Sequence, residues 1–348
     1  MTDAAAFAAE TEPYRRELFA HCYRMLGSVP DAEDLVQETY LRAWRSYDGF
    51  EGRSSVRTWL YQIATNRCLS ALADNRRRML PSGLGAAETD PGSPAESAGA
   101  DVDWLQPVPD GRVLSQWADG GDPAVVVAER EGVRLALIAG LQHLTARQRA
   151  VLVLREVLAF PARDVATMLG TTTASVKSAL QRARATLRER APDAERIAEP
   201  DEPRARELLE RYIAAFENAD AAELERLLVQ DATLEATPMS SWFAGRKTCV
   251  PFLRAHVLGE PGTWRMYATR ANGQPAIAGY VRDAAGVYRP YGVTVLTVID
   301  EGISKVTSFG DPDLVAAFGF PALPPVRSAD PGAGHAEDLG SVQVGELR

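Results

Sequence analysis

The chain has 348 residues, 46% of them apolar, which suits two or three domains with real cores and excludes a disordered chain. No run of about 18 or more apolar residues occurs, and the start, MTDAAAFAAETEPY, lacks the basic and apolar stretches of a secretory leader, so no membrane span and no export are expected. The three cysteines (Cys22, Cys68, Cys249) and four histidines (His21, His143, His256, His335) lack metal-ligand spacing, so no metal or other cofactor is expected and the thiols should be free in a reducing cytoplasm.

The first strong signal runs from Asp31 to Asn66. Leu35, Val36, Thr39, Ala43 and Trp44 fall on or near one side of a helix. Asp31, Glu33, Asp34 and Glu38 make the same turns acidic, which suits a protein-docking face. Asp34, Gln37, Glu38 and Arg42 are the candidate contacts there. In the second half, Trp59, Tyr61, Ile63 and Ala64 lie among Arg53, Arg57, Asn66 and Arg67. Aromatic rings among arginines suit base stacking and phosphate neutralisation. Either half alone also reads as an ordinary amphipathic helix.

Residues 81–122 are rich in Pro, Gly, Ser, Ala and acids, with 8 acids against one base, and read as a flexible acidic linker. WLQPVPD, Trp104–Asp110, interrupts it. A tryptophan in a loose segment is costly to expose, so Trp104 and Leu105 are expected to anchor the linker on a neighbouring domain. The net charge of −9 argues against a nucleic-acid binder until its distribution is read: residues 123–192 hold 11 Arg or Lys against 5 Asp or Glu. Val125, Val126, Val133, Leu137, Leu141 and Leu144 suit one helix of that stretch. Arg147, Val151, Leu152, Leu154, Val157 and Leu158 suit a second. Then Pro161 opens a helix, Gly170 ends it, and a threonine run caps the next. Ala166, Gly170 and Val176 have helix-turn-helix spacing. Val176, Leu180, Ala183 and Leu187 form the inner stripe of its second helix. Ser175, Lys177, Ser178, Gln181 and Arg182 face outward at its start, where such a helix reads base edges in a major groove, with Arg188 further along.

After Asp193 the character changes. Leu208, Leu209, Tyr212, Ile213 and Phe216 form an amphipathic helix and Ala222–Leu228 a short one. ATLEA, WRMYATRANG, PAIAGYVRD, VYRPYGVTVLTVI and SKVTSFG read as strands, an α+β unit with an antiparallel sheet. Residues 323–348, rich in Pro, Gly and acids, read as a disordered tail.

These stretches resemble known families. His21–Ser28, Asp31–Trp44 and Phe50–Leu69 are similar to domain 2 of the extracytoplasmic-function (ECF) sigma factors of bacterial RNA polymerase, over about 10–80. LTARQRAVLVLREV and SVKSALQRARATL resemble sigma domain 4, over 123–192. Asp231–Leu253 and Gly292–Pro321 resemble the SnoaL-like cone-shaped α+β domain, over 203–322, and Trp104–Asp110 is similar to the linker motif of sigma factors fused to that domain. Some relatives carry a DGGGK motif near the end of that domain; here the comparable region is Arg282–Pro290, RDAAGVYRP, so no role transfers. The resemblance implies a multidomain chain, two all-α sigma domains followed by a cone with a curved antiparallel sheet. It implies core RNA polymerase and promoter DNA as partners. Polymerase would contact Asp34, Gln37, Glu38 and Arg42. The minus-ten element would meet Arg53, Trp59, Tyr61 and Asn66, with Tyr61 and Asn66 at a flipped base. The minus-thirty-five element would meet Ser175, Lys177, Ser178, Gln181 and Arg182. The cone would regulate in cis, with room for a small-molecule ligand.

The rival is a cone-fold isomerase or hydrolase with a DNA-binding leader. Asp231, His256, Tyr267, Tyr280 and Tyr291 are its nominees, though each type is more often a capping, core or surface residue. A buried Asp–His or Asp–Tyr pair inside a cavity would favour it. A helix-turn-helix repressor leaves the acidic face unexplained and needs a dimer seam, which the sequence does not show. No catalytic residues are assigned.

Overall fold

The computed structural model describes residues 4–73, 77–114, 131–190 and 202–325. The first helical unit comprises α1 (Ala4–Thr11), α2 (Arg15–Leu26), α3 (Val29–Ser46) and α4 (Val56–Ala71). α2 is its axis, buried continuously from Leu18 to Leu26. Gly27 ends α2 in the left-handed region, at φ 68°. Ser28 caps α3 by accepting from the Asp31 N–H at 3.3 Å, with Pro30 in the first turn, where its missing N–H costs nothing. Ser55 caps α4 in the same way through the Thr58 N–H at 3.1 Å. Cys22 and Cys68, remote in sequence, meet as free thiols between α2 and α4.

Residues 77–114 contain a single 3-10 turn (Pro81–Gly83), one short α-helix, α5 (Asp110–Val113), and otherwise the irregular backbone that their composition predicts. Backbone groups that no local ladder satisfies find partners within the segment or on neighbouring units. The Leu105 N–H reaches Met79 O at 3.0 Å, the Gln106 N–H reaches Gly27 O at 3.0 Å, and the Glu88 N–H reaches Trp242 O at 2.7 Å.

The second helical unit has α6 (Leu135–Leu141), α7 (Ala146–Leu152), a π-helical turn (Val153–Val157), α8 (Ala162–Met168) and α9 (Thr173–Arg190). Thr145 and Gln148 form a capping box on α7. Of the helix expected through Val125 and Val126, those two residues lie outside the described residues; Val133, Leu141 and Leu144 are buried and Leu137 is half-buried.

The α+β unit runs α10 (Glu202–Glu217), α11 (Ala221–Leu227), β1 (Leu228–Thr237), β2 (Trp242–Ala244), α12 (Arg246–His256), β3 (Trp264–Ala271), β4 (Gln274–Arg282), β5 (Tyr288–Ile299), β6 (Gly302–Phe309) and α13 (Pro312–Ala317). The strand order is β2-β1-β6-β5-β4-β3. The sheet is mixed, not antiparallel as expected: β1 pairs with β6 in parallel. Hairpin logic covers consecutive strands only. The β1–β6 pair closes a long excursion and returns in the same direction. Register shifts at Gly279/Tyr280 and Thr297/Val298 add the local bends that bulges produce. Leu208, Tyr212 and Phe216 of α10 pack with Ile277, Leu296 and Val306 of the sheet in one core. Ala271, Ala276, Val293, Val295 and Phe309 belong instead to the core of the helical units, so the sheet packs against them. Residues 326–348, most of the expected tail, lie outside the described residues.

Candidate nucleic-acid interface

α3 and α4 create two adjoining surfaces. On α3, Asp34 and Gln37 are exposed, and they share a helix face with Glu38 and Leu41, at spacings of three and four residues. Leu41 is 57% exposed; among the large apolar side chains of the described residues only Leu323 is more so. The position of Leu41, seven residues from Asp34, puts it on the same face, a signal that spacing alone carries. Glu38 holds Arg42 at 3.1 Å and Arg67 at 2.9 Å. Burial disfavours the Glu38 charge, but the Arg67 and Arg42 guanidiniums outweigh it and keep the carboxyl below its ordinary range.

Behind this face lies an open groove. Arg42 and Arg45 line it from α3; Trp59, Ile63, Asn66 and Arg67 line it from α4. Phe50 stacks on Trp59 with centroids 4.7 Å apart, which sets the indole at the groove edge. A half-buried indole, an exposed carboxamide and several guanidiniums can hold an unstacked base by its face, its edge and its phosphate. Two expected members are elsewhere. Arg53 projects from the loop before α4, its side chain 86% exposed and paired with Glu51 at 3.3 Å. Tyr61 is fully buried, which corrects its assignment to a base pocket. Helical phase is the reason: Tyr61 shares the inner stripe with Leu60, Ala64 and Cys68, whereas Trp59, Ile63 and Asn66 look into the groove. The Tyr61 hydroxyl donates to Glu17 O at 3.3 Å, and its ring meets Phe160 of the second helical unit edge-on at 5.1 Å. Arg57 lies over the same Phe160 ring, 4.7 Å from its centroid, while bonded to Glu17 at 2.9 Å. This face of α4 is therefore covered by the second unit. His21 is buried on α2 and bonded to Thr65 at 3.0 Å; burial, then Arg24, push its pKa down to about 3.

In the second unit, α8, its turn and α9 form the predicted helix-turn-helix. Gly170 takes φ 56°, and the Thr171 N–H reaches back to Ala166 O at 2.9 Å, which closes α8. Thr172 caps α9 through the Ser175 N–H at 3.2 Å. Val176, Ala179 and Ala183 are buried, with Leu180 and Leu187 half-buried behind them. Ser175, Lys177, Ser178, Gln181, Arg182 and Arg188 are all exposed on the outer face. Arg182 donates to the Ser178 hydroxyl at 2.6 Å, one turn away.

The linker anchor docks on the first unit. Leu105 is fully buried, and a Cβ on Gly27 would come within 2.6 Å of Leu105 Cδ1, so glycine at the α2–α3 turn lets the anchor side chain sit against it without shifting. Tyr23 donates its hydroxyl to Gln106 O at 2.8 Å. Trp104 is only half-buried; its carbonyl accepts from Arg78 at 3.1 Å. The next contact was not foreseen. The β3–β4 hairpin turns at Asn272-Gly273, both with positive φ as a two-residue turn of this kind requires. Asn272 is fully buried between the units. Its Oδ1 accepts the Val108 N–H at 3.0 Å, and its Nδ2 donates to Tyr23 Oη and to Val133 O, each at 2.8 Å. One carboxamide thus joins the first unit, the linker and the approach to the second unit. Asp110 adds an ion pair to Arg270 at 3.0 Å and accepts the Gly273 N–H at 2.7 Å; Gln274 Oε1 accepts the Leu135 N–H at 3.1 Å.

The nominees for an enzyme are not gathered. Tyr267 bonds Pro325 O, Tyr280 bonds Pro321 O, and His256 faces Gly92 O at the surface. Asp231 is exposed. Tyr291 alone lines the cavity of the α+β unit. The acid at that cavity is Glu235, ion-paired with Lys305 at 2.6 Å. That is no Asp–His or Asp–Tyr pair.

Comparison with known proteins agrees with this layout. The profile of Sigma-70 region 2 matches residues 11–78, and that of Sigma-70 region 4 matches residues 134–187. The chain is similar to the ECF RNA polymerase sigma factor SigG of Mycobacterium tuberculosis, 48% identical over 317 residues, covering 90% of this chain and 84% of that protein. It is 32% identical to SigJ of the same organism over 226 residues, 65% of this chain and 63% of that protein. The crystal structure of SigJ shares the fold, with a TM-score of 0.56 at 22% identity, covering 89% of this chain and 98% of that one.

Proposed function

The chain belongs to the ECF RNA polymerase sigma factors, and from that membership we propose which of its surfaces does what. It binds core RNA polymerase, recognises promoter DNA and serves initiation as a non-catalytic subunit. Its place of action is the cytoplasm, with the polymerase. Among the described residues no helix is long and apolar enough to cross a membrane.

The α3 face of Asp34, Gln37, Glu38 and Leu41, with Arg42 at its end, is our candidate for the polymerase contact. The groove with Trp59 and Asn66 is the candidate minus-ten reader, with Arg53 a separate candidate DNA contact on the loop before α4. Ser175, Lys177, Ser178, Gln181 and Arg182 are the candidate minus-thirty-five reader. The cone regulates in cis by holding the two sigma domains closed. The observation that carries this reading is the buried Asn272 carboxamide, bonded at once to Tyr23, Val108 and Val133. Tyr61 and Arg57 packed on Phe160 fit a resting arrangement in which one face of α4 is occupied. Deleting residues 203–348 should raise promoter-specific transcription several-fold in a purified system with core polymerase. Equal transcription by the truncated and full-length chains would overturn cis control and leave the sigma assignment standing.

A further inference from the structure

The cone contains a cavity of about 70 Å³ that polymerase binding and promoter reading do not use. Phe216, Phe243, Phe252, Trp264, Met266 and Val306 make its walls apolar and largely aromatic. At one side sit three hydroxyl-bearing residues, Tyr291, Thr294 and Ser308, with Thr294 donating to Ser308 at 3.1 Å. Tyr291 and Ser308 are close enough to interact, and burial raises the Tyr291 phenol above its ordinary range while Ser308 opposes that rise. The charged residue in the wall, Glu235, is already neutralised by Lys305 and also accepts the Ser82 N–H at 3.0 Å.

The linker crosses the rim of the cavity, which stays partly open to solvent. Ala95 is part of the cavity wall. Around it the Glu96 N–H donates to Ser241 Oγ at 3.0 Å, the Ser240 N–H to Glu96 O at 2.8 Å and the Ala98 N–H to Pro238 O at 3.0 Å. Ser97 pairs with Met239 as an isolated antiparallel bridge. These are backbone contacts at half-exposed or exposed positions, and Ala95 is the apolar side chain that this stretch places against the cone core. The volume decides what fits beneath it. An engineered apolar cavity of about 150 Å³ takes up benzene. With Ala95 seated, this one is smaller than that and admits no substituted ring.

We propose that the cone cavity binds a neutral, ring-bearing small molecule with one terminal oxygen directed at the Tyr291–Thr294–Ser308 hydroxyls, and that linker residues 90–98 are the lid it displaces. The aromatic walls select the ring, the hydroxyl cluster selects the oxygen, and the satisfied Glu235 leaves no cation for an anionic group. Occupancy and lid seating exclude each other, so the ligand acts on the segment that connects the two sigma domains. Its effect on transcription rests on the cis-control reading above; the binding itself does not.

The test uses the full chain and the neutral dye N-phenylnaphthylamine, with no transcription step. Ala95→Asp puts a carboxylate against the apolar mouth and unseats the lid. Ala95 is only half-buried, so the cone core stays intact. If the open form is a minor population, freeing the lid should tighten dye binding by about tenfold, since apparent affinity scales with the competent fraction. Saturating dye should also accelerate amide exchange at Glu96, Ala98 and Ser240 in the wild-type chain. Failure of the dye to bind the Ala95→Asp chain, equal affinity for the two chains, or binding that leaves those three amides unchanged would each overturn the proposal.

Discussion

Asn272 offers the sharpest test of the closed arrangement. Removing its carboxamide leaves two buried groups without these partners, the Val108 N–H and the Val133 carbonyl; Tyr23 keeps its bond to Gln106 O. At about 1–3 kcal/mol for each orphaned group, the interface should lose roughly 2–6 kcal/mol. The backbone sits at φ 56°, where alanine would add strain of its own. Asn272→Gly avoids that strain and isolates the amide. The assay is hydrogen exchange at amides whose bonds cross the interface but do not involve the deleted group. These are Leu135, bonded to Gln274 Oε1, and Gly273, bonded to Asp110 Oδ1. A loss at the low end, about 2 kcal/mol, corresponds to exchange through undocking that is roughly thirtyfold faster. The Leu105 amide, bonded to Met79 O within the linker, is the internal control and should hold. If Leu135 and Gly273 exchange at wild-type rates in Asn272→Gly, the carboxamide is not what holds the units together, and the account of cis control loses its central contact.

Reversing Asp34 and Glu38 to lysine should weaken core-polymerase binding in a pull-down while the fold survives, since Asp34 is exposed and Glu38 pairs only with half-exposed or exposed arginines. Trp59→Ala and Asn66→Ala should impair bubble formation, read by permanganate footprinting, more than they impair polymerase binding; normal bubbles in both would remove the groove from promoter opening. Arg182→Ala should relax base preference at one or two minus-thirty-five positions, by about 1–3 kcal/mol of discrimination. Arg188→Ala should instead weaken all sequences alike and lower the salt slope. Burial disfavours the Glu235 charge, but Lys305 and the Ser82 N–H outweigh it, so its folded pKa is lowered. The stability from this pair is complete above the ordinary carboxylate pKa and is lost as pH falls through the lower folded value. Melting of Glu235→Gln should therefore depend less on pH in that acid window than melting of the wild type.

What was legible in the sequence is what short-range pattern determines. The helix-turn-helix needed only Gly170, its threonine cap and an apolar stripe, all within one stretch of chain. The acidic face of α3 followed from the same spacing rule. Tyr61 went wrong because periodicity assigns a residue to a stripe without saying which stripe faces inward. Aromatics occupy both sides of α4, and one side is buried by α2, through His21 and Glu17, together with Phe160, about a hundred positions away in the chain. The parallel β1–β6 pair was illegible for a related reason: it joins the first strand to the last, and no hairpin signal spans that gap.

The Asn272 contact shows the boundary most clearly. Asn-Gly between two strand-like runs is a strong hairpin signal, and the turn forms where the residues place it. The same positive φ that suits Asn to the turn leaves its carboxamide at the tip of the hairpin, projecting beyond the sheet. A polar group in that position is either solvated or committed to another unit, and full burial shows which applies here. Three partners 2.8–3.0 Å away satisfy most of its hydrogen-bonding capacity. A buried amide so fully bonded specifies one docking geometry and penalises others, because a slip leaves its partners orphaned. The linker obeys the same logic. Its composition offers no periodicity with which to fold by itself, so its path is set by what Gly27 leaves room for, what Asn272 bonds and what the mouth of the cone accepts from Ala95. If the cone regulates in cis as proposed, control over the spacing of the two sigma domains resides in contacts made to the linker by units before and after it, which is where variants that separate regulation from promoter recognition should be sought.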